Sequence, residues 1–336
     1  MSSNRLTTTY SMWSLFRNCR RACFWRYVKQ LVPIQRKEAA LYFGSLIHDC
    51  LEIWHGSGSL DAVLDHIDKS CIARDSDPDV KRDWHNARAI MTAYASEYLT
   101  EGFTVINLEK EFTGEIINPA TCAKSKSFVL SGKVDGIVKK EDGSYWLLEH
   151  KTAASIGGDY VSRLWTDFQV ILYSYYVREA LGIPVTGVIY NVLQKPKLVQ
   201  SVGETEAEFS GRYTALAAKN KSGKSSAKRK LPESDEAFQN RLATWFSEKD
   251  AFLRVELLFD VDDYNTLQSE LWELTQQYLD ARRRDAWYQN TGFCFNYHRP
   301  CPYYPICSSK NNPLVIENEY EHRAPHQELS ENDKPF

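Results

Sequence analysis

Ser131-Gly132-Lys133-Val134-Asp135-Gly136-Ile137-Val138 and, past a turn at Asp142-Gly143, Tyr145-Trp146-Leu147-Leu148-Glu149-His150-Lys151-Thr152 decide how this chain is read. β-Branched and aromatic residues dominate both stretches, so they read as strands, and Asp-Gly marks the hairpin between them. Glu149 and Lys151 sit at the end of an otherwise apolar strand. Burying such groups costs free energy unless they are paired or bind a metal. The loop length then decides the geometry. A two-residue loop at Asp142-Gly143 pairs Asp135 with His150 and turns Asp135 and Glu149 to opposite faces. A three-residue loop, Glu141-Asp142-Gly143 with Gly143 left-handed, pairs Asp135 with Glu149. Their β-carbons are then about 5 Å apart, and Lys151 shares the face of Glu149. The second register is preferred because it gathers two carboxylates and one ammonium. Carboxylates so close repel unless a cation lies between them, and hard oxygen donors with open water positions suit Mg²⁺ or Mn²⁺. Such a site can activate water and stabilise charge on a scissile phosphate, with Lys151 orienting the water or offsetting developing negative charge. On its own the Asp…Glu-x-Lys spacing is weak and favours an ordinary surface Glu–Lys ladder; the motifs around it change that balance.

Working outward, residues 10–30 have helical spacing, with a basic face (Arg17, Arg20, Arg21, Arg26, Lys29) and an aromatic one. Helices are predicted over 41–55, 60–73 and 80–100, and strands over 103–117, 128–139 and 145–151. A helix over 163–181, a strand over 185–193, a helix over 234–245, a strand over 252–259 and a long helix over 262–286 follow. The polar, lysine-rich stretch 219–230 reads as a mobile loop. This order gives a mixed α/β core with helical additions on both sides. The chain divides into an N-terminal helical region (1–100), a core (101–200), an insertion loop with C-terminal helices (201–290), a cysteine-rich segment (291–318) and a polar tail expected to be disordered (319–336).

The chain has 336 residues, 43% of them hydrophobic, enough for a large core. Its net charge of -3 supplies no global positive field, so any nucleic-acid affinity must come from local basic patches. The sequence holds no apolar run long enough to span a bilayer and no signal-peptide pattern, so a soluble, cytoplasmic protein of a bacterium or a phage-infected cell is expected. Gly223-Lys224-Ser225 is similar to the end of a phosphate-binding loop, but Ala218 occupies the required upstream glycine position and no strand precedes it; an ATP site is rejected.

Eight cysteines in a protein of this kind favour metal ligation over disulfides. Cys294, Cys301 and Cys307 crowd one segment, and Cys19 and Cys23 lie one helical turn apart near the start. Thiolates accept either zinc or iron, and geometry alone does not separate the two; His298 is a candidate ligand on the zinc reading. Cys50, Cys71 and Cys122 read as inert thiols.

Together these motifs resemble the RecB-like branch of the PD-(D/E)XK nucleases, which includes AddB-type, CRISPR-adaptation and phage exonucleases. Gly44-Ser45-Leu46-Ile47-His48 resembles the helical motif whose histidine binds metal, Gly132-Lys133-Val134-Asp135 the acidic motif and Glu149-His150-Lys151-Thr152 the (D/E)xK motif. Gln169-Val170-Ile171-Leu172-Tyr173 resembles the following helical motif, and Asn191 to Lys195 the next strand and its exit. The matches run from about residue 10 to 307. The resemblance implies a restriction-endonuclease-like core, a central mixed sheet flanked by helices, with an Fe–S clasp joining the N- and C-terminal regions. It implies Mg²⁺ or Mn²⁺ held by His48, Asp135, Glu149 and the His150 carbonyl, with Lys151 assisting and Gln169 and Tyr173 positioning substrate. It also implies a [4Fe–4S] cluster on Cys294, Cys301, Cys307 and an N-terminal cysteine in a segment such as Phe16-Arg17-Asn18-Cys19, which favours Cys19 over Cys23; structural Zn²⁺ is the alternative. The spacing between Cys294 and Cys301 is wider than the family's.

The activity implied is hydrolysis of DNA, by exonuclease action on single-stranded or end-containing DNA, in recombination, repair or phage DNA processing. With no helicase motif in the chain, unwinding needs a helicase or recombinase partner. The competing readings are a non-cutting, cluster-stabilised DNA-binding recombination factor and a structural zinc protein. Weak candidates for phosphate contacts are Arg17, Arg20, Arg21, Lys195, Lys224 and Arg229. Trp13, Trp25 and Trp165 have faces for base stacking, though core packing is the expected fate of each. Glu109 or Glu111 adds a carboxylate or belongs to a solvated strand face. Taken singly, His48, Gln169 and Tyr173 are ordinary helix residues.

Overall fold

The computed structural model describes residues 5–34, 39–73, 79–220, 222–296, 299–326 and 329. Strand β1 (Leu6–Thr8) leads into helix α1 (Tyr10–Asn18), the short helix α2 (Arg20–Cys23), a π-helical turn (Phe24–Val28) and strand β2 (Leu31–Pro33). Helices α3 (Ala39–Ser57), α4 (Leu60–Ile72) and α5 (Val80–Glu97) follow, then strands β3 (Phe103–Ile117), β4 (Lys124–Lys140) and β5 (Tyr145–Ala153). After α6 (Gly158–Leu164), α7 (Phe168–Leu181) and β6 (Val185–Gln194) come α8 (Glu206–Ala218), α9 (Asp235–Glu248), β7 (Phe252–Leu258) and α10 (Val261–Arg284). The C-terminal region holds β8 (Phe295–Asn296), β9 (Arg299–Pro300), α11 (Tyr304–Ser308), α12 (Pro313–Glu319) and β10 (Tyr320–His322).

The central sheet is mixed: β1-β4-β5-β6-β7, with β3 on the other edge of β4. β5 and β6 run parallel, as a strand–helix–strand unit requires, whereas β4–β5 and β6–β7 are antiparallel. One core packs the aromatic side of α1 (Trp13, Phe16), α7 and α10 against the sheet. A second core joins α3, α4, α5 and α9. The alternation of β5 sorts its residues between layers: Leu147 enters the first core, while Leu148 joins Val138, Trp146 and Ile189 in a smaller cluster.

The hairpin has the three-residue loop. Lys140 N donates to Ser144 O at 2.9 Å and Gly143 N to Lys140 O at 3.0 Å, with Gly143 at φ +86°. The ladder pairs Gly136 with Leu148, which brings Asp135 to the level of Glu149. On the edge of β4 away from β3, β5 covers residues 136–139 and β1 covers 128–130. Between them β4 has no strand partner on that edge, and the polar residues converge there.

Two expectations are corrected. The helix expected over 10–30 breaks at Cys19, whose extended backbone (φ -158°) separates α1 from α2. The tail, expected to be disordered from 319, supplies β10, which pairs antiparallel with β2, and a buried His326. The loop over 219–230, read as mobile, is tied back at its distal end: Arg229 Nη1 bonds Glu206 Oε1 at 2.5 Å, and Arg212 Nη2 donates to Lys228 O at 2.8 Å.

Candidate active site and cysteine clasp

Asp135 Oδ2 accepts the His150 backbone N–H at 2.7 Å, so a side chain takes over where the β4–β5 ladder ends. Its Oδ1 lies 3.4 Å from His48 Nδ1 on α3. Glu149, only 5% exposed, forms an ion pair with Lys151 on its own face of β5. Tyr173, hydrogen-bonded to Gln169, faces this pair from α7 and meets Phe112 edge-on at 5.4 Å. Asp167 caps α7 by accepting the Gln169 N–H at 2.9 Å, which fixes where that helix starts. The structure thus brings His48, Asp135, Glu149, Lys151, Gln169 and Tyr173 to one place.

The charges there are strained. Burial, reinforced by the charge of Asp135, pushes the Glu149 carboxyl up to about 7 despite Lys151. Burial also acts against ionised Asp135, but the charge and hydrogen bond of His48 outweigh it and hold that carboxyl well below its usual range. Lys151 is likewise desolvated, yet Glu149 and Asp135 raise it above the ordinary lysine value. Among the described residues no three His, Cys, Asp or Glu side chains are already grouped as metal ligands; the ammonium and the imidazole meet the carboxylates instead. Two buried carboxylates beside an imidazole form a donor set that a hard divalent ion fits, because it would offset the burial and the repulsion that raise Glu149.

His150 points away from this cluster into a network that sequence reasoning missed. Asn191 Nδ2 donates to His150 Nδ1 at 2.8 Å and to Tyr94 Oη at 3.1 Å. Arg254 Nη2 donates to Tyr94 Oη at 2.7 Å, and Arg254 forms a two-pronged ion pair with Glu101 at 2.5 and 2.8 Å. With both lone pairs engaged, the Tyr94 hydroxyl donates to His55 Nε2 at 3.2 Å. His55 stacks on His150, ring centres 5.3 Å apart. Burial, then the nearby His55, holds His150 well below its ordinary value and so neutral. The one local signal was His55, two helical turns after His48. Glu109, an uncertain extra carboxylate from sequence, has φ 47° and pairs with Lys133 at 2.5 Å beside Asp135.

Cys19, Cys294, Cys301 and Cys307 line one small cavity. The extended backbone at Cys19 turns its Sγ to accept the Asn290 N–H at 3.5 Å. Cys23 instead lies in the main core, fully buried, with Sγ 4.0 Å from Met12 O. Burial, then the neighbouring thiols, raises Cys294 and Cys301, and an electron-poor metal centre would offset that repulsion; the four-sulfur donor set fits one. Around the thiols, Ala22, Trp25, Leu31, Tyr303, Ile306 and Tyr320 form a separate core, and Tyr303 Oη donates to Leu31 O at 2.9 Å. His298 lies outside the described residues.

The weak phosphate-contact candidates scatter. Arg20 lies between the Phe16 and Tyr288 rings, and Arg21 Nε donates to Trp287 O at 2.5 Å. Lys195 sits over Phe43, Arg229 is spent on Glu206, and Lys224 is exposed on its loop. Trp13 and Trp25 are core residues, but Trp165 is 51% exposed.

The chain belongs to the PD-(D/E)XK nuclease superfamily, whose model matches residues 7–308; membership implies phosphodiester-cleaving activity, typically supported by divalent metals. No curated protein matches the chain. Among solved structures, the crystal structure of SSO0001 is similar at 14% identity over 64% of this chain and 78% of that one, with a TM-score of 0.21, too loose a likeness to inform fold or activity. No helix among the described residues is long and apolar enough to cross a membrane.

Proposed function

We propose that the protein is a Mg²⁺- or Mn²⁺-dependent DNA nuclease that degrades single-stranded or end-containing DNA as an exonuclease, in recombination, repair or phage DNA processing. The observation that carries the reading is the convergence of Asp135 and buried Glu149 beside the Lys151 ammonium, with the Glu149 carboxyl pushed to about 7. His48, Asp135, Glu149 and the His150 carbonyl would hold the cation, which supplies a concentrated positive charge and acidified water for phosphodiester hydrolysis. Lys151 stays charged and meets negative charge on the phosphate. Gln169 and Tyr173 hold the substrate strand against that edge. Burial and the neighbouring His55 keep His150 neutral, and the Asn191–Tyr94–Arg254 network orients its ring. On the same reading Cys19, Cys294, Cys301 and Cys307 hold a [4Fe–4S] cluster that staples the two ends of the chain, and a helicase or recombinase supplies unwinding.

The test is a divalent-metal assay on end-labelled linear and circular DNA, single- and double-stranded. Degradation of linear substrates is expected, with loss of cutting but retention of DNA binding in Asp135→Asn. Unchanged cutting by that variant refutes the site. A brown preparation with iron and labile sulfide in equal amounts is expected; zinc in their place refutes the cluster.

A further inference from the structure

A groove of about 470 Å³ opens beside the carboxylates, lined by Tyr10 and Arg17 of α1, Tyr160 and Arg163 of α6, Phe168 of α7 and Tyr190 of β6. Its lining adjoins the candidate active site. Tyr190 pairs in register with Glu149, Tyr160 hydrogen-bonds Tyr190, and the Tyr10 ring meets Tyr173 edge-on at 6.4 Å. Two guanidiniums flank it. Arg17 stacks over Phe168 at 4.7 Å and reaches Glu270 only at 4.0 Å, with 43% of its side chain exposed. Arg163 lies over Tyr160 at 5.8 Å and is exposed. The groove's carboxylate, Asp167, is committed to capping α7. Where α6 gives way to α7, Trp165 leaves half its surface in solvent, although the other tryptophans considered for base stacking are buried.

Exposing an indole forgoes the burial that a tryptophan ordinarily gains. Here it sits between Leu164 and Thr166, which line the same groove as Arg17 and Arg163, a groove of small-ligand size. An unpaired strand presents what these groups recognise: phosphates for the guanidiniums and free base faces for the ring. A duplex keeps its base faces covered. We infer that this groove binds the unpaired strand that runs to the scissile phosphate, with Arg17 and Arg163 on its phosphates and Trp165 stacked on a base. The inference rests on the nuclease reading and names the substrate form and its path.

The test is fluorescence anisotropy of labelled oligodeoxythymidine, and of its duplex with oligodeoxyadenosine, on the full chain without added divalent cation. The single strand is expected to bind more tightly than the duplex. Trp165→Ala is expected to weaken single-strand binding about tenfold, with most of it restored in Trp165→Phe. Arg17→Gln with Arg163→Gln is expected to reduce the slope of log affinity against log salt by about 1.4, as for two lost phosphate contacts on a single strand. Unchanged single-strand affinity in both variants overturns the inference, as do equal losses on the duplex. Hydrolysis of bis(p-nitrophenyl) phosphate by the unmodified chain with Mn²⁺ reads the metal site separately. Hydrolysis together with groove-independent binding rejects the groove alone; groove-dependent binding without hydrolysis supports the groove and rejects the nuclease reading.

Discussion

Glu149 and Lys151 are two residues apart on one strand and form an ion pair beside Asp135. Removing the ammonium leaves two buried carboxylates with only His48 to offset them. Lys151→Ala is therefore expected to lower the DNA cleavage rate by a factor on the order of 10² to 10³, the scale of losing one charge-stabilising group, with single-turnover rates as the readout. A rate within a few-fold of the unsubstituted chain would remove Lys151 from the chemistry. His55 gives a pH prediction. Its side chain is 1% exposed, and burial, then the charge of Arg254, lowers it from the ordinary 6.5 to about 4. The unfolded chain takes up a proton near 6.5 that the folded chain refuses until about 4. The stability tied to neutral His55 is thus full above 6.5, declines as pH falls through that window, and amounts to on the order of 3 kcal/mol. Urea midpoints should fall less steeply from pH 6.5 to 4 in His55→Gln, and parallel curves for the two proteins would defeat the argument. At this scale the motif residues were legible, because a few-residue spacing on a strand or helix fixes which face a side chain takes. The Tyr94–Asn191–Arg254–Glu101 network was not, because its members lie on separate elements and meet only after folding.

At the level of elements, the hairpin and the central strands were readable because Gly143 admits the left-handed turn and apolar alternation sets the register. The break at Cys19 was hidden, since 10–30 keeps helical spacing through it. β10 was hidden too: Tyr320-Glu321-His322 is polar and short, and becomes a strand only because β2 is there to pair with it. Close packing between strands makes a sharp test. A β-carbon on Gly187 in β6 would lie 2.3 Å from Leu257 O and 2.7 Å from the Trp146 ring. Because backbone is in the way, Gly187→Ala is expected to cost about 2–3 kcal/mol, measured as a lower denaturation midpoint; an unaltered midpoint would mean that β7 shifts freely. Arg254→Met should be worse. It strands Glu101 and one lone pair of Tyr94 inside the structure, at a cost of about 3–5 kcal/mol, read by thermal unfolding.

For the molecule as a whole, two cores flank the sheet and a third closes the ends. The third core was half legible: the cysteines near both ends pointed to one shared site, but nothing in their spacing revealed the strand pair β2–β10 or the Tyr303 and Tyr320 rings stacked 6.0 Å apart beside them. Cys301→Ala is expected to lower iron content and to open the ends to proteolysis between residues 290 and 323 before the sheet is attacked, with mass spectrometry of the early fragments as the check. First cuts in β3 to β6 would show that the clasp adds nothing to the closure of the fold.

The clasp also imposes an order of events on biosynthesis. Cys19 and Leu31 leave the ribosome well before Cys307 and Tyr320, which pack with them. Until residues 301–320 are released, Trp25 and Leu31 lack the Tyr303, Ile306 and Tyr320 side chains that cover them, and a nascent chain holds that surface exposed. A ribosome-bound intermediate is thus left with this core open, and the fold closes only after Tyr320 has been added.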